Sequence, residues 1–465
     1  LACAEGDQAR RLAEDRSWAA LLRVRGSTEG EGLLFDAVDI PELRDRLLAL
    51  VGGKPAKGRG GRLVGKKTKA LDEVPRGLTS APLRAEQSNT SIVFDDRVVL
   101  KLFRKLDGGL NPDVEIGRFL TERSKFEHFP KMLGELSYQR SSGEDCTLGV
   151  LQEYVPNQGD AWKVTLNEVG LAAERLLGDE DLPRTPVKPK AVLELAKRAG
   201  RTGGEGVVSH FLPLVELLGA RTADMHHALA RAKGDAAFDP EAFTPHYQRG
   251  LYQSMRSLAS RTFDLLRRAR RALPEDVRTP AEELLDRKDE VFATFDRTLK
   301  TERLEGARIR CHGDYHLGQV LFTGRDWSII DFEGEPARTL SERRIKRSPL
   351  RDVAGMLRSF DYVVREGMRH QVATGNVQPG STAQESLAAG LDRWLQAAQA
   401  AYLSSYLEAS KTATYLPKGS GLGLLLDAYL MEKAVYELAY ELNHRPHLIP
   451  VPIHGVLGLV DLYQG

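Results

Sequence analysis

Arg310-Cys311-His312-Gly313-Asp314-Tyr315-His316-Leu317-Gly318-Gln319-Val320-Leu321 is closely followed by Trp327-Ser328-Ile329-Ile330-Asp331-Phe332-Glu333-Gly334-Glu335-Pro336. Short apolar runs flank the polar residues in both stretches, the pattern of loops closed by strands. A lone His-Gly-Asp is a common turn. Asp314, Gln319 and Asp331 together, between apolar strands, are much harder to obtain by chance. Such a set suits phosphoryl transfer. One carboxylate orients and deprotonates an acceptor hydroxyl, and other oxygens hold Mg²⁺ against a triphosphate.

The spacing assigns the parts. In the protein-kinase catalytic loop, H-R-D-x-x-x-x-N, the metal-binding amide follows the Asp by five residues. Asp314 stands where the base stands, and Gln319 five residues on. Gln in place of Asn is a departure, but it is still a neutral carbonyl ligand. Asp331 takes the position of the second metal aspartate, and Glu333 is a further candidate for the metal shell. His312 and His316 flank Asp314 and join it as catalytic candidates.

The same residues carry a resemblance. His312-Gly313-Asp314-Tyr315-His316 resembles the catalytic loop of the aminoglycoside phosphotransferase-like kinases. The longer string through Gln319-Val320-Leu321, with Ile330-Asp331-Phe332-Glu333-Gly334-Glu335-Pro336-Ala337-Arg338 and Lys346 to Tyr362, is similar to the bacterial maltokinases. The similarity runs from about Gln87 to the C-terminus and is weakest in the first eighty residues. It implies formation of maltose 1-phosphate from maltose and ATP, feeding α-glucan synthesis. It also implies an N-terminal cap subdomain.

Composition bounds the remaining choices. The 465 residues allow two to four domains. Hydrophobic content of 42% with 28% charged residues is that of an ordinary soluble protein. A net charge of +1 gives no reason to expect nucleic acid as a partner. Three well-separated cysteines, Cys3, Cys146 and Cys311, fit a reducing cytoplasm better than a disulfide framework. No apolar run approaches the ~20 residues that span a bilayer, and no signal-peptide pattern opens the chain. Leu rather than Met at position 1 leaves a longer polypeptide open, and the maltokinase resemblance implies fusion to a trehalose synthase as one such case.

The nucleotide-binding part is expected at 86–157, after a cap at 1–85. The basic, glycine-rich run from Lys54 to Lys69 reads as a solvated loop, with phosphate contact as the minority reading. Gln87 to Phe94, Asp95-Asp96 and Val98 to Phe103 read as strand, tight turn and strand. Ser88, Asn89, Thr90 and Ser91 replace the usual glycines as phosphate contacts. Lys101 sits in an apolar strand, where a lysine is unexpected unless paired. Kinases use such a lysine on the α- and β-phosphates, held by an acid on the next helix. Asn111-Pro112 opens that helix as cap and first residue, presenting Glu115 as the partner, with Asp113 as the fallback. Leu148 to Asn157 reads as a strand ending in an adenine-binding hinge at Glu153, Tyr154 and Val155.

Residues 158–465 read as a helical lobe. Leu251, Met255, Leu258, Thr262, Leu265 and Ala269 mark one face of a helix spanning 248–273. Thr279-Pro280 reads as the start of the next helix. His226 and His227 point to different helix faces, so they read as surface or half-buried residues and not as a metal site. Asp181 to Lys190 reads as a loop. Ser341 to Pro349 is a basic turn, divided between a solvated charge run and a substrate role. Asp352 is assigned to anchoring the catalytic loop. In the last long helix, Tyr429, Glu432, Lys433, Tyr436, Glu437 and Arg445 combine carboxylates and aromatic faces suited to a sugar. The resemblance implies that they bind it.

The fold expected is therefore α+β, bilobal and kinase-like, with ATP and Mg²⁺ between a β-rich first lobe and a helical second lobe. Two alternatives stand beside maltose: another sugar, amino sugar or aminoglycoside as acceptor, and a catalytically silent docking module fused to a trehalose synthase.

Overall fold

The computed structural model describes residues 2–15, 20–27, 30–83, 89–178, 190–199, 210–231, 234–300 and 304–462. The chain forms two compact units, Leu1–Pro156 and Asn157–Gly465. The sheet-rich first part and helical second part make up the kinase-like fold. Among the described residues no helix is long and apolar enough to cross a membrane.

The first unit is built on a seven-stranded antiparallel sheet. Its strands run in the order 56–58, 61–67, 132–140, 146–153, 98–103, 89–94, 80–82. Alternation explains its two faces. Val98 and Leu100 bury one face with Ile92, Phe94, Leu133, Leu136 and Leu151, under Leu48 of helix Pro41–Leu50 and Val51, which caps its end. Lys101 and Phe103 point to the other face, where Phe103 packs with Val114, Met132 and Val150. The turn between strands 89–94 and 98–103 is carried by Asp95 and Asp96, with φ of 46° and 50°. Short Asp side chains tolerate that left-handed region better than most.

One boundary moves. Strands 56–58, 61–67 and 80–82, expected within the cap, are members of this sheet. The run Lys54–Lys69 is mostly the hairpin 56–67, paired onto strand 132–140. Main-chain pairing at a sheet margin needs no apolar side-chain pattern, so composition alone read as a loop. A separate three-stranded sheet, ordered 2–5, 30–35, 20–27, packs against helix Gly6–Asp15.

The second unit is a helical scaffold around one small hairpin, Val320–Phe322 with Trp327–Ile329. Trp327 is buried, and its indole N–H donates to Leu214 O at 2.8 Å. The Arg221 guanidinium forks onto Asp326 at 2.9 and 2.8 Å. Both contacts seat the hairpin on helix Leu212–Ala230. Helix Pro245–Ala269 starts at Thr244, whose hydroxyl accepts from the Tyr247 N–H. Its buried stripe holds Leu251, Met255, Thr262 and Leu266. Helix Glu275–Asp286 begins ahead of the expected start, with Pro280 inside it. Most of the loop expected at 181–190 lies outside the described residues.

Candidate functional site

The loop from His312 to Gln319 is shaped from behind by helix Leu350–Ala373. Asp352 is buried there. Its carboxylate accepts the His312 N–H at 2.7 Å and the Gly313 N–H at 3.0 Å. Burial would raise this carboxyl, but the hydrogen bond from His226 and the neighbouring loop donors hold it below the ordinary range. Gly313 has φ of 90°, which L side chains rarely adopt. At Gly355 a Cβ would meet Tyr315 O at 2.6 Å, so glycine there lets the helix approach the loop.

Asp314 is thereby turned out of the packed interior while its neighbours are held. Lys433 Nζ lies 3.7 Å from Asp314 Oδ1. Burial would lower the Lys433 ammonium, but Asp314, Glu335 and Glu437 reverse the shift and keep it charged. Behind Lys433, Glu335 pairs with Arg338 and Arg351. Burial would raise the Glu335 carboxyl, yet Arg351, Lys433 and Arg338 bring it to about 2.

The two histidines expected to be catalytic each make contacts that shape the loop. His312 is buried: its Nε2 meets Ile330 O at 2.8 Å, and its Nδ1 accepts the Asp314 N–H at 3.4 Å. Both ring nitrogens are committed inside the protein, so His312 ties the two loops together and holds no free group for substrate. His316 caps the short helix Leu317–Gln319, accepting from Gly318 N–H at 3.1 Å. Burial lowers its pKa, so the ring is neutral near pH 7.

On the metal side, Gln319 Nε2 lies 3.2 Å from Asp331 Oδ2. Asp331 takes φ of 64° to reach this position. Glu333 Oε2 is 3.9 Å from Arg343. An amide beside a carboxylate is a hard oxygen set that suits Mg²⁺ once the amide presents its carbonyl. The residues present therefore fit that ion.

Helix Ser420–His444 supplies the remaining wall, though not with all six residues expected. Lys433 faces Asp314, and its ammonium lies 5.1 Å from the Tyr436 ring centroid. Glu432 is beside Arg351. Three of the expected sugar contacts are packed away or paired within the protein. Tyr429 is only 1% exposed. Glu437 receives Nε and Nη2 of Arg358 at 2.9 and 2.8 Å, a buried ion pair joining two helices. Arg445, at the helix end, binds Glu441 and stacks on Tyr440. Helical spacing gave two neighbouring rows, Glu432 with Tyr436 and Lys433 with Glu437, and Arg358 of helix Leu350–Ala373 takes Glu437.

In the first unit, Lys101 pairs with Asp113 at 3.2 Å, both buried. Asp113, the fallback to Glu115 in the sequence reading, forms this pair. Asn111 accepts the Asp113 N–H at 2.9 Å and fixes the helix start. Ser88 lies outside the described residues. Asn89, Thr90 and Ser91 belong to a strand and not to a loop tip. Ser91 sits opposite Lys101, and the Thr90 hydroxyl accepts from Arg104 at 2.6 Å. At the expected hinge, Glu153 N–H donates to Lys131 O and Tyr154 N–H to Arg97 O, both at 3.0 Å. Those two donors are spent within the unit, which removes them from the adenine contacts expected at Glu153, Tyr154 and Val155.

The basic turn at 341–349 is only partly exposed. Lys346 is buried and donates to Ala236 O, Asp239 O and Glu241. Arg343 donates to Pro336 O and Arg338 O. His226 was expected at the surface or half-buried, and Glu335 was given no role. His226 is fully buried against Asp352, and Glu335 organises the cations behind Lys433. A signal existed for His226: with Thr222, Ala223 and Leu229 it falls on the buried stripe of helix Leu212–Ala230.

A phosphotransferase enzyme family model matches residues 175–334, a span that includes Asp314, Gln319, Asp331 and Glu333. The chain is 25% identical over 386 residues to a glucosamine kinase of Streptacidiphilus jiangxiensis, covering 81% of this chain and 72% of that protein. These findings support the aminoglycoside phosphotransferase-like kinase superfamily. A glucosamine kinase of Mycolicibacterium smegmatis is 22% identical over 386 residues, covering 82% of this chain and 79% of the relative. A solved glucosamine kinase in complex with glucosamine, ADP and inorganic phosphate matches with a TM-score of 0.61 at 20% identity. That match covers 94% of this chain and 86% of the other. At that identity the likeness is one of fold.

Proposed function

We propose that this chain is an ATP-dependent sugar kinase whose first acceptor is an amino sugar of the glucosamine type. The observation that carries the reading is Asp314, presented by a clamped loop and 3.7 Å from Lys433 on the helix expected to bind sugar. Asp314 takes the proton of an acceptor hydroxyl as that oxygen attacks the γ-phosphorus. The new P–O bond forms as the bond to the β-phosphate oxygen breaks, and ADP leaves. Lys101, held by Asp113, is assigned to the α- and β-phosphates, with Asn89 and Ser91 of the neighbouring strand as further candidates. Gln319 and Asp331 are assigned to Mg²⁺, with Glu333 beside them. When bound, Mg²⁺ neutralises charge on the transferring phosphoryl group. Glu432 and the Tyr436 ring are assigned to the hydroxyls and apolar face of the sugar.

The glucosamine kinase relatives support the amino sugar over maltose. Maltose 1-phosphate formation, expected from the catalytic string, is the finer second reading. ADP release measured with glucosamine, glucose, maltose and kanamycin separates them. Turnover with glucosamine above the others is expected, and turnover with maltose alone would install the second reading. No turnover with any sugar would favour a silent docking module. Asp314→Asn should lower kcat by about 10³-fold with ADP affinity retained. Retained kcat would remove Asp314 from the chemistry.

A further inference from the structure

We propose that His226 is a positioning residue for the catalytic loop, acting through Asp352 and itself oriented by Tyr406. The inference rests on the reading of Asp314 as the base. His226 is fully buried, so it reaches neither nucleotide nor acceptor. Its Nε2 lies 3.2 Å from Asp352 Oδ2, the same oxygen that accepts the His312 N–H. Its Nδ1 lies 3.0 Å from the Tyr406 hydroxyl, with the two rings edge to face at 5.6 Å. A proton on Nε2 serves the carboxylate, which leaves Nδ1 to accept from Tyr406. The phenol thus selects the tautomer that the carboxylate needs.

The arrangement is doubled one helical turn away. Thr222, four residues before His226, has its hydroxyl 3.0 Å from the Tyr315 hydroxyl. Tyr402, four residues before Tyr406, donates to Thr222 at 3.2 Å. One pair of positions, His226 and Tyr406, governs residues 312 and 313 through Asp352. The other pair, Thr222 and Tyr402, holds residue 315. Asp314 lies between the two grips, so its carboxylate is placed by the packing of helices Leu212–Ala230, Leu350–Ala373 and Thr382–Ala409.

Asp352 shows why the histidine is needed. It is a buried carboxylate whose hydrogen-bond donors among the described residues are two backbone N–H groups and this ring. A buried carboxylate missing a donor reorients or takes up a proton. Either change releases the loop that it clamps. A displacement of about 1 Å at a reacting group costs on the order of 10²-fold in rate.

Two amides separate positioning from bulk stability. The Gln side chain brings an N–H to the place of Nε2, whereas Asn reaches only the place of Nδ1. With ATP, Mg²⁺ and glucosamine, His226→Asn should lower kcat by about 10²-fold with both KM values within about twofold. His226→Gln should recover kcat to within about fivefold of the parent. Equal kcat for the two amides, or a loss confined to KM, overturns the proposal. Tyr406→Phe keeps the ring and covers the case in which His226→Asn does not fold. A kcat loss of about threefold or more at unchanged KM supports the proposal, and an unchanged kcat overturns it. Asp314→Asn run alongside keeps the two readings apart. An active Asp314→Asn breaks the assignment of the base, whereas an inactive one beside a fully active His226→Asn breaks only this inference.

Discussion

Two buried carboxylates, Asp113 in the first unit and Asp352 in the second, are held in different ways. In the first, the Lys101 ammonium and the Asp113 carboxylate neutralise each other at 3.2 Å between an apolar strand and a helix. In the second, the Asp352 carboxylate is held by N–H donors of the loop and a histidine from another helix. A pair concentrates the cost of losing one member. A set of donors spreads it, and ties local geometry to the packing of several elements.

The sharpest way to break this contrast is at the pair. Lys101→Met leaves the Asp113 carboxylate without the ammonium, and a loss of roughly 3–5 kcal/mol in urea unfolding is expected. Adding Asp113→Leu should return most of that stability without restoring turnover. A single variant as stable as the parent would show that the pair is not structural.

A smaller effect is expected at the mouth of the second unit. Lys433→Met removes the cation nearest Asp314 but leaves the clamp on the loop intact. A fall of roughly tenfold in kcat/KM is expected, expressed more in the acceptor KM than in the ATP KM. An effect on the ATP KM alone would move Lys433 out of the sugar wall.

The smallest effect sharpens the electrostatic half of the comparison. Glu335 titrates at about 2 when folded, against an ordinary 4.5. A depressed carboxylate contributes stability that is complete above its unfolded value and drains as pH falls through the folded one. Unfolding free energy should therefore fall between about pH 4.5 and pH 2. Glu335→Gln should flatten that limb by about one proton, and an unchanged slope would contradict the linkage.

The comparison also explains what the sequence made legible. The contact between the two candidate loops was readable because order and geometry coincide there: Asp314, Gln319 and Asp331 are close in the chain, and the structure brings the last two to 3.2 Å. The choice between Asp113 and Glu115 depended on which helix face meets the sheet. That face was encoded: Asp113 shares it with Ile116, Gly117 and Leu120, all buried, whereas Glu115 lies with the partly exposed Arg118. Glu437 could not be separated from Glu432 by spacing, because its partner Arg358 comes from a helix 79 residues away. The hairpin 56–67 was missed because backbone pairing organises it, with few buried side chains.

Asp331 holds one more lesson. A non-glycine residue at φ of 64° costs its protein something of order 1 kcal/mol in every molecule, whether or not a nucleotide is bound. Glycine would take that conformation without the Cβ cost. On the proposed assignment of Asp331 to Mg²⁺, any thermostabilised descendant of the chain should be inspected at this position before its activity is trusted.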